Sequence, residues 1–512
     1  MPNATEQPTQ SYDFVLVGGG SAGCVLAARL TEDPATRVLL LEAGAPAEAL
    51  PKAVATPPAW PSLAATEASW GERTEPQGPD GGIVALPRGK GLGGSSAINA
   101  MVFARGHRSS YDAWAGLGAR GWSYDELLPW FRRTETALGG GTGRGTDGPL
   151  IVGPAAEPND VLLALLDGAT SIGHRRARDI SGGLEEGFAP VDLNIVDGRR
   201  QSAADAYLTP VLDRPNLRVV TGARAHRLLL DGGRCTGVEY TVEGHGFTAR
   251  AARETVLTAG TLGSAHLLLC SGIGPADELR AAGIEVRHAL PGVGRNLHDH
   301  PRVNLVHRTH REVPEARHNH GEIIGLLRGP GAGDGGPDIQ LIFIDLALPN
   351  PVAPVANGFS VGVSPMRPAS RGTLRLASAD PFVPPVIDPR YFAEEQDVRA
   401  VLSGIATARE IVASGALSPW GAEEVAPGPA LTSAADLAGY ARRFFGSYCH
   451  PVGTCAMGEH ENAVVDPALR VHGLAGLRIA DASVMPSIPS NNTNATVYAL
   501  AERAADLLRD AS

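Results

Sequence analysis

Apolar positions cluster in short runs, and the first, residues 12–17 (YDFVLV), ends at glycine. A run this short and this apolar predicts a buried strand. The glycine-rich stretch 18–23 then opens an alanine- and leucine-rich segment reaching about Leu30, which predicts a helix. A second buried strand is predicted over 38–41 (VLLL), closing on Glu42. Further strands are expected over 216–225, 227–230, 255–258 and 338–344, and a helix over 263–270. Near the end of the chain Val497, Leu500, Ala501, Ala504 and Leu508 recur at helical spacing. They predict a last helix with one face packed inward and its N-terminus near Asn494 and Ala495. The mixture of strands and helices reads as an α/β chain.

The first turn carries chemistry. Gly18, Gly20 and Gly23 have the G-x-G-x-x-G spacing between a strand and a helix. The first glycine permits a sharp turn, the second lets a pyrophosphate approach the backbone, and the third lets helix and strand pack closely. Unpaired helix N–H groups and the helix dipole would hold the anion. Glu42 follows about 20 residues on, where a carboxylate can hydrogen-bond a ribose diol. The pattern therefore predicts dinucleotide binding. The same residues also satisfy G-x-S-x-G, the nucleophile elbow of serine hydrolases, with Ser21 as nucleophile. A second strand closing on Glu42 has no role in an elbow, so Ser21 is expected to serve phosphate binding instead.

A second glycine-rich stretch, PRGKGLGGSSAIN over 87–99, offers another row of backbone N–H donors. Two such cradles suit a long, extended cofactor. With 512 residues the chain has room for two or three domains. Its 63 glycines and 40 prolines fit a loop-rich enzyme. A formal charge of -11 argues against a nucleic-acid or anionic-membrane surface. Residues 1–11 are polar and read as a disordered tail with no signal segment, and no apolar stretch is long enough to span a membrane. Cys24, Cys235, Cys270, Cys449 and Cys455 make no disulfide framework and fit a reducing compartment. The expectation is a cytoplasmic protein.

Several blocks resemble the glucose-methanol-choline (GMC) family of FAD-dependent oxidoreductases, in order and over nearly the whole length. Besides both glycine stretches they are 259–275 (AGTLGSAHLLLCSGIGP), 292–300 (GVGRNLHDH), 367–372 (RPASRG) and 380–391. Ala265 departs from the family's usual proline, a local difference. The resemblance implies a Rossmann-like FAD domain over 12–155, 195–305 and 455–512. It also implies a substrate domain over 156–194 and 306–454, built on a largely antiparallel sheet to which 338–344 would belong. It places FAD against Gly18, Gly20, Ser21, Ala22 and Gly23, then Glu42, Ala43, Trp70 and Arg88. Gly93, Gly94, Ser95, Asn99, Ala100 and Val102 follow, with Ala225, Asp481, Ala482 and Asn494. Some members attach FAD through a histidine where this chain has Ile98, so the cofactor is expected to be noncovalent.

Residues 448–454 (YCHPVGT) resemble the family's catalytic histidine block. Taking a hydroxyl proton near neutral pH, while hydride leaves the same carbon, needs a base that titrates near there, and His450 is the candidate. Within 490–497 (SNNTNATV) Asn492 falls where members carry a second histidine or an asparagine, with Asn491 as the competing register. Its amide can hydrogen-bond a substrate oxygen as negative charge develops. The last helix, if aimed at the flavin pyrimidine, would stabilise the reduced flavin's charge. Two histidine pairs, His298 with His300 and His318 with His320, would put two ligands on one strand face. The first pair lies in the GVGRNLHDH block, where ordering a turn near the cofactor is the better reading; no metal is expected. Cys449 and Cys455 are expected to be buried. The mostly apolar set Phe103, Phe343 and Tyr448 is the expected substrate pocket, suiting an aromatic or aliphatic alcohol.

The expected activity is FAD-dependent oxidation of a small alcohol to an aldehyde or ketone, with dioxygen or a redox carrier as electron acceptor. A hydroxynitrile lyase of the same fold is the alternative.

Overall fold

In this computed structural model, which describes residues 11–333 and 335–510, the first apolar run is strand β1 (Ser11–Val17). Helix α1 (Ser21–Leu30) and strand β2 (Val38–Leu41) follow, as expected. The tail expected over 1–11 lies outside the described residues except for Ser11, which pairs with Arg250 in the sheet. β1 is parallel to its two neighbours and buried on both faces, which is why it and β2 read as unbroken apolar runs.

The sheet is completed by β3 (Leu217–Val220), β4 (Ala223–Asp231), β5 (Arg234–Val242) and β6 (His245–Leu257). Its order is β4-β5-β6-β1-β2-β3, and the late strand Leu477–Ile479 pairs in parallel with the end of β6. Two expected strands are corrected here. The stretch 216–225 breaks at Gly222, which has φ +66, and Ala225 joins Arg227 in β4. The stretch 255–258 is only the end of a 13-residue strand. The ribbon β4–β5–β6 is antiparallel, and its mixed buried and half-exposed positions blur the apolar signal. Helix α2 (Gly260–Cys270) begins earlier than the 263 expected.

A second sheet contains β7 (Pro301–Arg308), β8 (Ile323–Leu327), β9 (Ile339–Ile344) and β10 (Gly358–Pro365). Helix α3 (Glu395–Ala413) packs across it, and β11 (Glu423–Ala426) and the strand Gly187–Pro190 form its edges. Every pairing in it is antiparallel. The boundary expected after 305 cuts β7, which belongs whole to this sheet. The hairpin Thr373–Arg375 with Val386–Asp388 also changes sides. Its Leu374 and Ile387 are buried in the first domain's core.

The chain ends in α4 (Asn494–Asp510), which lies against α1. Fully buried Glu502 on α4 accepts hydrogen bonds from Arg29 of α1, at 2.8 Å, and from the Tyr207 hydroxyl, at 2.8 Å. The C-terminal helix is thereby fastened to the first one, with their N-termini side by side. Among the described residues no helix is long and apolar enough to cross a membrane.

Candidate active site

A continuous cavity of about 450 Å³ runs from the glycine turn after β1 to the side chains of His450 and Asn492. It lies at the carboxyl end of β1 and β2, where open α/β sheets bind ligands. Gly18 turns the chain at φ +114, and a Cβ on it would lie 2.6 Å from the Thr258 carbonyl. The second cradle folds onto the first: the Gly93 N–H donates to the Gly19 carbonyl, and a Cβ on Gly94 would lie 2.6 Å from the Gly20 Cα. Gly20 itself faces the cavity, with no atom closer than 3.8 Å to the place a Cβ would occupy. No side chain caps the N-terminus of α1 and its first turn has no acid. The site thus presents bare backbone and unspent N–H donors, which fit a dinucleotide pyrophosphate.

Ser21, Ala22, Ala43, Trp70, Arg88, Ser95, Asn99, Ala100, Val102, Ala225, Asp481, Ala482 and Asn494 all border this cavity. Gly23 and Gly93 do not; Gly23 sits beneath it, where a Cβ would lie 1.9 Å from the Gly18 carbonyl oxygen. Ser21 donates to the Asn494 side chain at 2.9 Å, joining the two helix N-termini. It has no histidine hydrogen-bond partner among the described residues, so the elbow alternative finds no support. Glu42 borders the cavity, but its carboxylate accepts from the Gly19, Gly44 and Gly91 N–H groups at 2.7, 2.7 and 3.0 Å. Beyond any ribose contact it ties the two glycine cradles together.

At the other end, the two rings of His300 and His450 meet at 3.0 Å between their Nδ1 atoms. His300 Nε2 lies 3.2 Å from the Met366 carbonyl, which can only accept, so that nitrogen carries the proton. Burial holds the His300 imidazole neutral, pushing its pKa down to about 3. Its Nδ1 is therefore a bare acceptor, and the shared proton sits on His450 Nδ1. That leaves the lone pair of His450 on Nε2, 3.1 Å from the Asn492 amide nitrogen. Burial, reinforced by His300 and Arg302, also holds the His450 pKa well below 6.5. Asp299 fixes the pair from behind, accepting the backbone N–H groups of His300 and His450, both at 2.8 Å.

Asn491 and Asn492 lie in different surroundings. Asn491 is fully buried, its Oδ1 accepting from Gln340 at 2.9 Å and its Nδ2 turned to the Arg105 carbonyl. Asn492 borders the cavity, and its Oδ1 has no partner.

Two of three expected pocket residues are corrected. Phe343 points to the far side of β9, stacked on Phe188 at 5.6 Å, while its neighbours Ile342 and Ile344 face the cavity. Phe103 packs in the core beside Tyr498, and Val102 takes the cavity side. Strand alternation decides the first, and aromatic size is no guide to either. Tyr448 stands in the cavity wall, its ring stacked 4.6 Å from that of His450. Cys449, expected to be buried, is exposed to the cavity, whereas Cys455 is buried.

The histidines of the first pair are committed to different partners, His300 to His450 and the Met366 carbonyl. His298 donates to the Asn296 carbonyl and accepts the Ile488 N–H at 2.9 Å, ordering the segment that leads to Asn492. His320 pairs with Asp345 at 2.7 Å.

Known proteins resemble this chain over nearly its whole length. The GMC oxidoreductase family models match residues 12–302 and 368–501. The mitochondrial choline dehydrogenase of Homo sapiens is 39% identical, over 99% of this chain and 91% of its own. The oxygen-dependent choline dehydrogenase of Brucella anthropi is 38% identical, over 96% and 95%. Among solved structures, pyridoxine 4-oxidase from Mesorbium loti superposes with a TM-score of 0.91 at 36% identity, over 97% of this chain and 99% of that one.

Proposed function

The chain belongs to the GMC oxidoreductase family and is an FAD-dependent enzyme that oxidises alcohols, and from that premise we propose that His450 is its general base and Asn492 its oxygen-orienting partner. When bound, FAD supplies the hydride acceptor. The observation that carries the reading is the proton order of the His300–His450 pair, which leaves an unprotonated Nε2 beside the Asn492 amide nitrogen. A substrate hydroxyl entering between them donates its proton to His450 Nε2. The Asn492 amide donates to the same oxygen as charge develops on it. The product is an aldehyde or ketone.

FAD would be held by the two glycine cradles and the N-termini of α1 and α4, which Ser21 and Asn494 join, with Asp481 and Ala482 also on the cavity wall. Asp481 is itself anchored by the Gly260 N–H at 2.9 Å and the Ser264 hydroxyl at 2.6 Å. Ile98 borders the cavity with an unreactive side chain, which supports noncovalent attachment. Acid precipitation should release a yellow supernatant; colour retained in the pellet would overturn that point. Five unpaired thiols support a cytoplasmic setting.

The test is anaerobic flavin bleaching across alcohols, beginning with choline and pyridoxine, the substrates in the relatives' names. Hydrogen peroxide formed per alcohol consumed in air then separates dioxygen from a carrier as acceptor. Yellow protein that no alcohol bleaches, yet which cleaves cyanohydrins, would overturn the reading.

A further inference from the structure

Arg302 stands in the cavity wall close to the base. Its guanidinium carbon lies 5.2 Å above the Tyr448 ring, whose other neighbour is His450. Alternation along β7 sends Val303 and Leu305 into the second domain's core and leaves Arg302 on the cavity face. The sheet is built to admit it. Gly362 on β10 lies under the arginine stem, and a Cβ there would come 2.9 Å from Arg302 Cδ.

The other charges of the cavity wall are committed. Arg88 pairs with Glu72, and Arg224 donates to the Pro381 and Phe382 carbonyls. Glu42 holds three backbone N–H groups, and Asp481 holds Gly260 and Ser264. Arg302 alone among these has neither a carboxylate nor a hydrogen-bond acceptor among the described residues, and its Nε is buried without a partner. Stacking on Tyr448 leaves its fork of N–H donors unspent. A planar guanidinium held with its donors free on a cavity wall is complementary to a carboxylate.

We propose that the alcohol oxidised here carries a carboxylate that pairs with Arg302, and that a quaternary ammonium is disfavoured. The assignment rests on the reading that places the reacting carbon at His450. It sets this chain apart from what the names of the choline dehydrogenases say of them, because no free carboxylate among the described cavity residues stands ready for a trimethylammonium group.

The test is binding to the FAD-loaded enzyme, read from the flavin difference spectrum, of benzoate, benzyl alcohol and benzyltrimethylammonium. Benzoate should bind at least about 10-fold tighter than benzyl alcohol, and the cation weakest of the three. Arg302→Gln should erase that order, and Arg302→Lys, which keeps the charge, should retain most of it. In turnover, the ratio of kcat/KM for 4-(hydroxymethyl)benzoate to that for benzyl alcohol should fall at least about 10-fold in Arg302→Gln. Benzoate affinity unchanged by Arg302→Gln, or the cation binding as well as benzoate, would overturn the proposal. Benzoate binding lost with Arg302 while no alcohol bleaches the flavin would uphold this assignment and overturn alcohol oxidation. Bleaching by benzyl alcohol without a benzoate preference would overturn this assignment alone.

Discussion

His450 does not choose its own tautomer. The Met366 carbonyl sets the proton on His300, His300 sets it on His450 Nδ1, and only then is Nε2 free to accept one. His300→Ala should therefore slow flavin reduction about 10- to 100-fold while FAD remains bound, as expected for a residue acting through the one it orients. Rapid-mixing absorbance measures both. The pH profile follows from the same burial. Because burial disfavours imidazolium, His450 stays a neutral base below its ordinary 6.5, so reduction should hold level from about pH 8 through pH 6.5 and decline only lower. An inflection above pH 6.5 would contradict this. His450 and Asn492 were legible in the sequence because their blocks carry local identity. The role of His300 was not, since it depends on a contact spanning 150 positions, and neither was Arg302, whose face is decided by a strand register.

At the scale of elements, β9 separates specificity from stability along a single strand. Phe343→Ala should lower stability by about 3–5 kcal/mol in denaturant unfolding, with the order of preferred alcohols unchanged, because its ring lies in the core. Ile342→Ala should change that order, because its side chain borders the cavity. The two glycine cradles behave as one element. Gly94→Ala, at φ +53 and 2.6 Å from Gly20, should yield protein with little flavin per chain by absorbance ratio. The sequence disclosed β1, α1, β2 and α4 closely, since buried parallel strands and a one-faced helix leave strong apolar patterns. It disclosed the β4–β5 ribbon and the hairpin carrying Leu374 and Ile387 poorly, because half-exposed strands dilute that pattern and the hairpin's home depends on tertiary packing.

The whole molecule brings its two ends together. α1 and α4 meet at their N-termini through Ser21 and Asn494, and along their lengths through Glu502 with Arg29. Glu502→Ala would leave Arg29 with Glu32 as its remaining carboxylate and take the acceptor from the buried Tyr207 hydroxyl, and should cost about 3 kcal/mol of stability by thermal or denaturant unfolding, without changing kcat of the FAD-loaded enzyme. In the proposed reading this clamp would let FAD, cradled by residues near 20 and 94, reach residues near 450 and 492. Proton removal at that end is the role proposed for His450. The most direct test is anaerobic rapid-mixing of His450→Ala, FAD-loaded, with an alcohol that bleaches the native flavin. Reduction slowed by about 10²-fold or more, with FAD still bound, is the expected result; reduction at a rate near native would contradict the account.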